Sequence, residues 1–236
     1  MRIEPFTLIR GRHPFVTVEE LRRDSTLLLE PKGDWTGPRF EGSTTTSLVE
    51  KYCPKERPIL ECGPIWGKFT EWLQNYGYRD VRVLDFADML RWGDRAKMQF
   101  AVTDFNKDRM PYADNTIGSA VAWGICEHLE NPFHAAREVA RVLKPGGVFV
   151  MAIPNVFHIV SKLVFLRRGM FPRWSYGNNH ISILPHGVFE KTILRDFTLV
   201  ETRYYKPFLH WLGAKAKYLP ANEWFSDYVA YVLVKK

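Results

Sequence analysis

The sequence predicts an α/β protein with a largely parallel sheet. Short apolar runs typical of buried strands alternate with helical segments: "PILEC", "VRVLDF", "QFAVTDF", "IGSAVAWGI" and "VFVMAIPN". After the first run, "KFTEWLQNYG" places apolar residues at helical spacing before a glycine stop, and "NPFHAAREVARVLKPGG" is a second helix that ends at Pro-Gly-Gly. Strands that alternate with helices imply βαβ units and hence parallel pairing.

Length and composition favour one large folded domain. The chain has 236 residues, 46% of them hydrophobic, and a net charge of +7, which favours acidic or phosphate-bearing ligands. Its three cysteines include no CxxC pair, which argues against a disulfide framework and a structural zinc site. We find no secretory-type apolar segment and no apolar run of membrane-spanning length, and we expect a soluble, cytoplasmic protein.

Three regions differ from the regular alternation. Residues 1–50 are rich in turn formers, so we predict an irregular N-terminal extension followed by a domain over 51–236. Residues 156–187 interrupt the βα rhythm as a lid-like insert, with an apolar helix candidate ending at Arg167 and Arg168. "VFEKTILRDF" then predicts a helix, and "FTLVETRYY" and "YVAYVLVKK" predict a closing antiparallel pair of strands.

Polar residues follow three successive strands at the edge where parallel sheets bind ligands. Gly63 follows the first strand, where a missing side chain allows a ligand close to the backbone and to a helix N-terminus. Asp85 ends the second strand and suits the two hydroxyls of a ribose. Asp104 ends the third, beside Phe105, and offers an acceptor for an exocyclic amine next to an apolar ring. Together these residues predict an adenosine-type site.

At this point the chain resembles the class I S-adenosylmethionine (SAM)-dependent methyltransferases, in particular the broad type 11/12 group. The likeness runs from about residue 57 to 197 and rests on "ILECGPIWG", "RVLDFADML", "VTDF", "MPYADNTIGSAVAWGICEHLENP" and "REVARVLKPGGVFVMAIPN". It implies a Rossmann-like, seven-stranded, mostly parallel sheet with helices on both faces and an antiparallel last strand. It also implies SAM as cofactor, with these binding residues: Glu61, Gly63, Gly67, Asp85, Phe86, Asp104, Phe105 and Trp123.

Two positions depart from the family pattern. Ile65 stands where the glycine-rich loop usually carries its central glycine, and Gly118 replaces the usual aspartate before the fourth strand. Because isoleucine disfavours positive φ, we expect the loop to pass position 65 in an ordinary conformation. The second departure should affect packing only.

Histidines are the candidate bases for methyl transfer to a hydroxyl. His128 follows the fourth strand in "CEHLENP", and His180 lies in the insert within "YGNNHISILPHG", which also holds His186. Some quinone O-methyltransferases of this fold hold a divalent metal with Glu-x-x-Glu-His. Here Gly124 replaces the first glutamate, so we expect no metal.

The insert bears on the acceptor. "PNVFHIVSKLVFLRRGMFPRW" resembles bacterial methyltransferases of polysaccharide or glycolipid biosynthesis, which implies a sugar-type small-molecule substrate. Arg167, Arg168 and Arg173 suit a phosphate-bearing acceptor, or peripheral contact with a membrane. "LHWLGAKAKYL" mixes lysine with aromatics, but no RNA-binding signature accompanies it, so we disfavour nucleic acid. A quinone or natural-product methyltransferase and a catalytically inactive SAM-binding partner protein remain alternatives.

Overall fold

The computed structural model describes residues 43–174, 179–207 and 219–236. Five helices are found in these ranges: α1 (Thr44–Tyr52), α2 (Lys68–Asn75), α3 (Pro132–Val142), α4 (Ile159–Arg168) and α5 (His186–Asp196). The strands are β1 (Ile59–Cys62), β2 (Val81–Asp85), β3 (Met98–Val102), β4 (Ile117–Trp123), β5 (Leu143–Pro154), β6 (Phe197–Pro207) and β7 (Ser226–Lys235).

The strands form one seven-stranded sheet in the order β3-β2-β1-β4-β5-β7-β6. Strands β1 to β5 pair in parallel, and β7 pairs antiparallel with both β5 and β6. The predicted Rossmann-like, mostly parallel sheet with an antiparallel last strand is therefore confirmed. Strand β1 is buried along its whole length, as expected of a central parallel strand covered on both faces.

Two apolar clusters cover the two faces of the sheet. On one face α1 and α2 contribute Leu48, Phe69 and Leu73 to the core. On the other face α3 and α5 contribute Val139 and Ile193. This three-layer arrangement leaves the carboxyl ends of β1 to β5 at one edge, where the connecting loops meet.

Local sequence signals explain the helix boundaries. The side chain of Ser43 accepts a hydrogen bond from the Thr46 amide at the start of α1, at 3.3 Å. Asn131 caps α3 in the same way, with Pro132 in the first turn. Helix α4 ends at Gly169, whose φ of 70° is the left-handed conformation common after a helix.

Two predicted boundaries are corrected. We predicted an irregular extension up to residue 50, but residues 44–52 form α1, in which Leu48 and Val49 are completely buried. Apolar burial against the sheet stabilises this short helix despite its threonines. Strand β5 begins directly after α3 rather than after Pro-Gly-Gly: its pairing with β4 jumps from Leu143 to Val148, so residues 144–147 bulge out of the ladder.

Other expectations agree with the structure. Cys53, Cys62 and Cys126 are all free and buried. A Cβ at Gly118 would lie 2.4 Å from Arg57 Cβ, so this glycine serves packing, as expected. No helix in the described ranges is long and apolar enough to cross a membrane.

The burial of α1 can be tested by truncation. Leu48→Ala should lower the free energy of unfolding by about 2–5 kcal/mol, because it leaves a cavity at a fully buried site. Leu163→Ala is the control; this side chain is 57% exposed on α4, so its loss should change stability by about 0.5 kcal/mol or less. Urea unfolding measures both, and equal effects would show that α1 is not part of the core.

Candidate functional site

The predicted acidic residues lie side by side at the carboxyl ends of β1, β2 and β3. The β1–β2 register pairs Cys62 with Leu84, and the β2–β3 register pairs Asp85 with Val102. Glu61 and Asp85 are each 2% exposed, and Asp104 is 5% exposed. The fold therefore collects three buried carboxyl groups at one sheet edge.

Asp85 ties two loops together. One carboxyl oxygen accepts a hydrogen bond from the Ile65 amide at 2.9 Å, and the other accepts from the Phe86 amide at 2.8 Å. Burial raises the pKa of Asp85 to about 7, although these two bonds act in the opposite direction. Each oxygen keeps a second lone pair, so the group can still accept two hydrogen bonds from a ligand.

The expectation of an ordinary backbone at position 65 is wrong. Ile65 has φ of 53°, a left-handed conformation that is a true outlier for a β-branched residue. Its amide bond to Asp85 helps hold this conformation, while its side chain is 40% exposed. The loop thus keeps a glycine-type path without a glycine, at a cost of about 1–2 kcal/mol.

The two glycines of this loop allow close contacts within the protein. A Cβ at Gly63 would lie 2.2 Å from Ile125 Cδ1, in the loop after β4. A Cβ at Gly67 would lie 2.6 Å from the carbonyl oxygen of Trp92, in the loop after β2. Both have positive φ, and Gly67 is also the N-cap of α2. These glycines therefore pack the first loop against its two neighbours.

Glu61 is a buried acid near the start of this loop. The Thr70 hydroxyl donates to its Oε2 at 2.5 Å. Burial raises the pKa of Glu61 to about 8, with the hydrogen bond from Thr70 opposing the shift. Glu61 and Asp85 thus resist ionisation in the ligand-free protein, and a cationic ligand at this edge would favour the ionised form of both.

The remaining predicted cofactor residues differ in accessibility. Asp104 Oδ1 accepts hydrogen bonds from the Asn106 amide and side chain at 3.0 and 3.1 Å. Phe105 is 6% exposed and packs in the core on the α3 side, whereas Phe86 is half-buried. Trp123 lies edge-on to Phe69, with 5.3 Å between ring centroids. Its buried Nε1 has no hydrogen-bond partner among the described residues.

The two candidate bases lie together at the end of β4. The rings of His128 and His180 are 4.6 Å apart in an edge-to-face arrangement. His180 reaches this position because the Ile181 and Ser182 amides donate to the Glu127 carbonyl oxygen at 2.7 and 3.0 Å. The insert is thereby fastened to the loop that carries His128.

Glu127 is a third member of this cluster, which the sequence reasoning missed as a functional residue. One side-chain atom from each of Glu127, His128 and His180 lies within 4.8 Å of the other two. Burial raises the pKa of Glu127 to about 8 and lowers the pKa of His180 to about 4. Burial also lowers the pKa of His128. At neutral pH the cluster is therefore largely uncharged.

A small cavity of about 20 Å³ adjoins Glu127 at the ends of β4 and β5, large enough for one water molecule. Its walls are mostly apolar and aromatic, and they include Phe157, Trp174 and Tyr231. Such a lining with few polar groups is typical of small-molecule pockets. The cavity thus marks a candidate acceptor side.

His186 and the arginines of the insert lie apart from the cluster or have other contacts. His186 stacks on Phe157, with 4.4 Å between centroids, and its Nε2 lies 3.4 Å from Glu223. Arg167 and Arg168 are exposed at the end of α4. Arg173 forms a two-pronged ion pair with Asp227. The lysine-aromatic segment 209–218 lies outside the described residues.

Residues 60–151 match the methyltransferase domain family. This segment resembles a methyltransferase domain. SAM is the methyl donor that this domain implies, and the acids at the ends of β1 to β3 suit it. No curated protein sequence matches the chain.

Solved structures of low sequence identity share the fold. A putative methyltransferase of Haloferax volcanii, solved with the Trm112 methyltransferase activator, has TM-score 0.60 and 16% identity over 81% of this chain and 88% of its own. A SAM-dependent methyltransferase from Mesorhizobium loti has TM-score 0.58 and 16% identity over 83% and 99%. The [4+2]-cyclase SpnF has TM-score 0.56 and 15% identity over 81% and 79%.

The backbone strain at Ile65 predicts that a glycine variant is more stable than an alanine variant at this position, which is the opposite of the usual order. Ile65→Gly should be more stable than Ile65→Ala by about 1 kcal/mol, because only glycine adopts this φ without cost. At Val188, a similarly exposed position in α5, the alanine variant should be the more stable by about 0.8–1 kcal/mol. Urea unfolding of the four variants checks this; an alanine advantage at position 65 would contradict the strain.

Proposed function

We propose that the protein transfers the methyl group of SAM to a hydroxyl, or an amine, of a sugar, sugar nucleotide or glycolipid intermediate. The observation that carries the proposal is the position of two side-chain groups at one sheet edge. Buried carboxyl groups lie at the ends of β1 to β3, and a glutamate-histidine cluster follows β4. The first group suits a charged adenosine cofactor, and the second suits the acceptor.

The charge of the cofactor supports its assignment to the carboxyl side. SAM carries an ammonium group and a sulfonium, and both would stabilise ionised carboxylates that burial otherwise disfavours. In this proposal Glu61 lies near the ammonium, Asp85 binds the ribose hydroxyls and Asp104 the adenine amine. Gly63, Gly67 and Phe86 shape the loops around the cofactor, and Trp123 lines the floor. Phe105 supports the Asp104 loop from the core.

Methyl transfer is an in-line displacement that needs alignment and removal of one proton. When bound, SAM supplies an electrophilic methyl carbon: the acceptor oxygen forms a bond to it, and the electron pair of the broken bond passes to sulfur. The Glu127, His128 and His180 cluster receives the proton of the hydroxyl. Because His128 Nδ1 lies 2.9 Å from the Asn179 carbonyl oxygen, Nδ1 must donate there, which leaves Nε2 as acceptor.

The acceptor assignment is supported by the walls of the small cavity and by the insert. Phe157, Trp174 and Tyr231 form apolar walls on this side, beside a cavity that has room for about one water-sized group of the acceptor. Arg167 and Arg168 are exposed and available to a phosphate or to an anionic membrane that holds a lipid-linked sugar. Arg173 would have to exchange its contact with Asp227 to bind a phosphate.

The cofactor proposal predicts a pH-dependent affinity for SAM. Asp85 has a pKa raised to about 7, and the ligand needs the carboxylate, so protonation below that pH competes with binding. The Kd for SAM should therefore rise by up to about tenfold for each pH unit below about 6. Calorimetric titration at several pH values measures it, and a flat profile would contradict the assignment.

Two matched variants refine this titration. Asp85→Asn should weaken SAM binding by about 10–100-fold and flatten the pH profile, since charged hydrogen bonds to the ribose are lost. Asp88→Asn is the control, because Asp88 is exposed and pairs with Arg95. If wild type binds neither SAM nor S-adenosylhomocysteine at millimolar concentration, the methyltransferase and the inactive SAM-binding alternative both fail.

If the two histidines act on the acceptor, their removal should lower kcat without changing the affinity for SAM. His180→Ala and His128→Ala should each lower kcat by about 10²–10⁴-fold while the Kd for SAM stays near the wild-type value. A methylation screen with sugar nucleotides, glycolipids and quinones supplies the assay. His186→Ala, which alters a histidine held by Glu223, should remain active. A fully active His180→Ala would exclude that residue from the reaction.

If SAM binds but no small acceptor in the screen is methylated, the alternative of a SAM-binding partner protein is favoured. The Haloferax volcanii neighbour was solved as a complex with an activator protein. A protein partner would then be the next component to add to the assay.

A further inference from the structure

Glu127, His128 and His180 have the composition and the spacing of a metal-ligand set. One oxygen and two ring nitrogens lie within 4.8 Å of one another, on two segments about 50 residues apart in sequence. We propose that these three side chains bind one divalent transition-metal ion, with Zn²⁺ as the best match. Two imidazoles and one carboxylate are ligands that zinc takes in sites with an open position.

The spacing is close to that of a bound ion. Ligands about 2.0–2.1 Å from a tetrahedral zinc are about 3.3 Å apart. The present separations exceed this by about 1.5 Å at most. Rotation of the two imidazole rings and of the carboxyl group would have to close this difference when an ion binds.

His128 makes a hydrogen bond of the kind that metal-ligand histidines make. Its Nδ1 donates to the Asn179 carbonyl oxygen, at 2.9 Å, which leaves the lone pair on Nε2. Ligand histidines in proteins commonly donate their other N–H to a backbone carbonyl or a carboxylate, and this bond fixes the tautomer. The bond also joins His128 to the segment that carries His180.

Glu127 supplies an independent observation. The residue is 4% exposed, and its Oε2 has no hydrogen-bond partner in the described part of the chain. A buried carboxyl oxygen without a partner is rare, and a cation would provide one. The adjoining cavity of about 20 Å³ has room for one water molecule or one acceptor oxygen at an open metal position. The positive charge of nearby Arg173 is balanced by its ion pair with Asp227.

His180 can replace the first glutamate of the Glu-x-x-Glu-His motif, which is absent because residue 124 is glycine. Gly124 has φ of 69°, and a Cβ there would lie 3.2 Å from Glu127 Oε1. A side chain at this position would therefore press against Glu127. The insert instead brings a histidine from the other side, fastened by the amides of Ile181 and Ser182. This ligand set thus depends on the insert, and it replaces our expectation that the chain holds no metal.

Direct binding measurements test the site without any turnover. Wild-type protein without a histidine tag is stripped with a chelator and titrated with ZnCl₂ by calorimetry, and with Co²⁺ by visible absorption. We expect one ion per chain, a cobalt spectrum typical of low coordination number, and a higher melting temperature with zinc. The absence of saturable one-to-one binding would overturn the proposal.

Substitutions in the cluster test whether the metal ion binds there. Glu127→Gln keeps the size of the side chain, and His180→Asn removes the imidazole but keeps a polar group; each should weaken binding by at least about tenfold. His186→Gln, at a histidine outside the cluster, should bind as wild type does. Circular dichroism verifies that each variant is folded. Wild-type affinity in both folded cluster variants would overturn the assignment, even if an ion binds elsewhere.

The catalytic consequence rests on the proposed function: with the ion bound, the three side chains would hold the metal instead of accepting the proton, and an acceptor hydroxyl at the open metal position would lose its proton more readily, to water. The binding experiments contain neither SAM nor an acceptor, so their result stands apart from the outcome of the methylation screen. If the protein does not bind zinc but methylates its acceptor normally, only the metal proposal is rejected. If the protein binds zinc but methylates no acceptor, only the proposed methyltransferase reaction is rejected.

Discussion

The cofactor side of the molecule depends on the buried carboxyl group of Asp85, which holds the loop after β1 against the loop after β2. It accepts the amides of Ile65 and Phe86, and the first of these bonds helps keep Ile65 in a left-handed conformation. Strained backbone persists only where its surroundings fix it. The same burial that makes Asp85 an anchor raises its pKa to about 7. In the cofactor site that we propose, Asp85 would therefore combine a structural role with a ligand-binding role.

The acceptor side depends on a different long-range contact. The segment 179–184 lies along the backbone of Glu127, and this pairing buries the glutamate and places His180 beside His128. Glu127 is thereby buried and the two histidines are partly buried, which explains why none of them is readily charged at neutral pH. A site of this kind forms only when the insert is in place.

Periodicity and strand-end residues were sufficient to predict a largely parallel sheet and acids at its strand ends, and the family resemblance implied the seven strands. The contact between His128 and His180 was not predicted. The conformation of Ile65 was not predictable from propensity, because it is held in part by a hydrogen bond from the Ile65 amide to Asp85, 20 positions away in sequence. Helix α1 was missed because its stability comes from burial of Leu48 and Val49 rather than from its composition. Glu127 and His128 match the end of the Glu-x-x-Glu-His motif, but the sequence could not show that the insert places His180 beside them.

The two sides of the site have a common electrostatic property. Glu61, Asp85 and Glu127 all have pKa values raised by burial, so the ligand-free site resists negative charge without a positive partner. A cationic cofactor on one side and a metal ion on the other would each supply that partner. Methyl transfer converts a sulfonium into a neutral thioether, so the buried acids lose one of these positive charges when the reaction is complete. In a site built in this way the charged donor is held more strongly than the product, which favours exchange of one for the other.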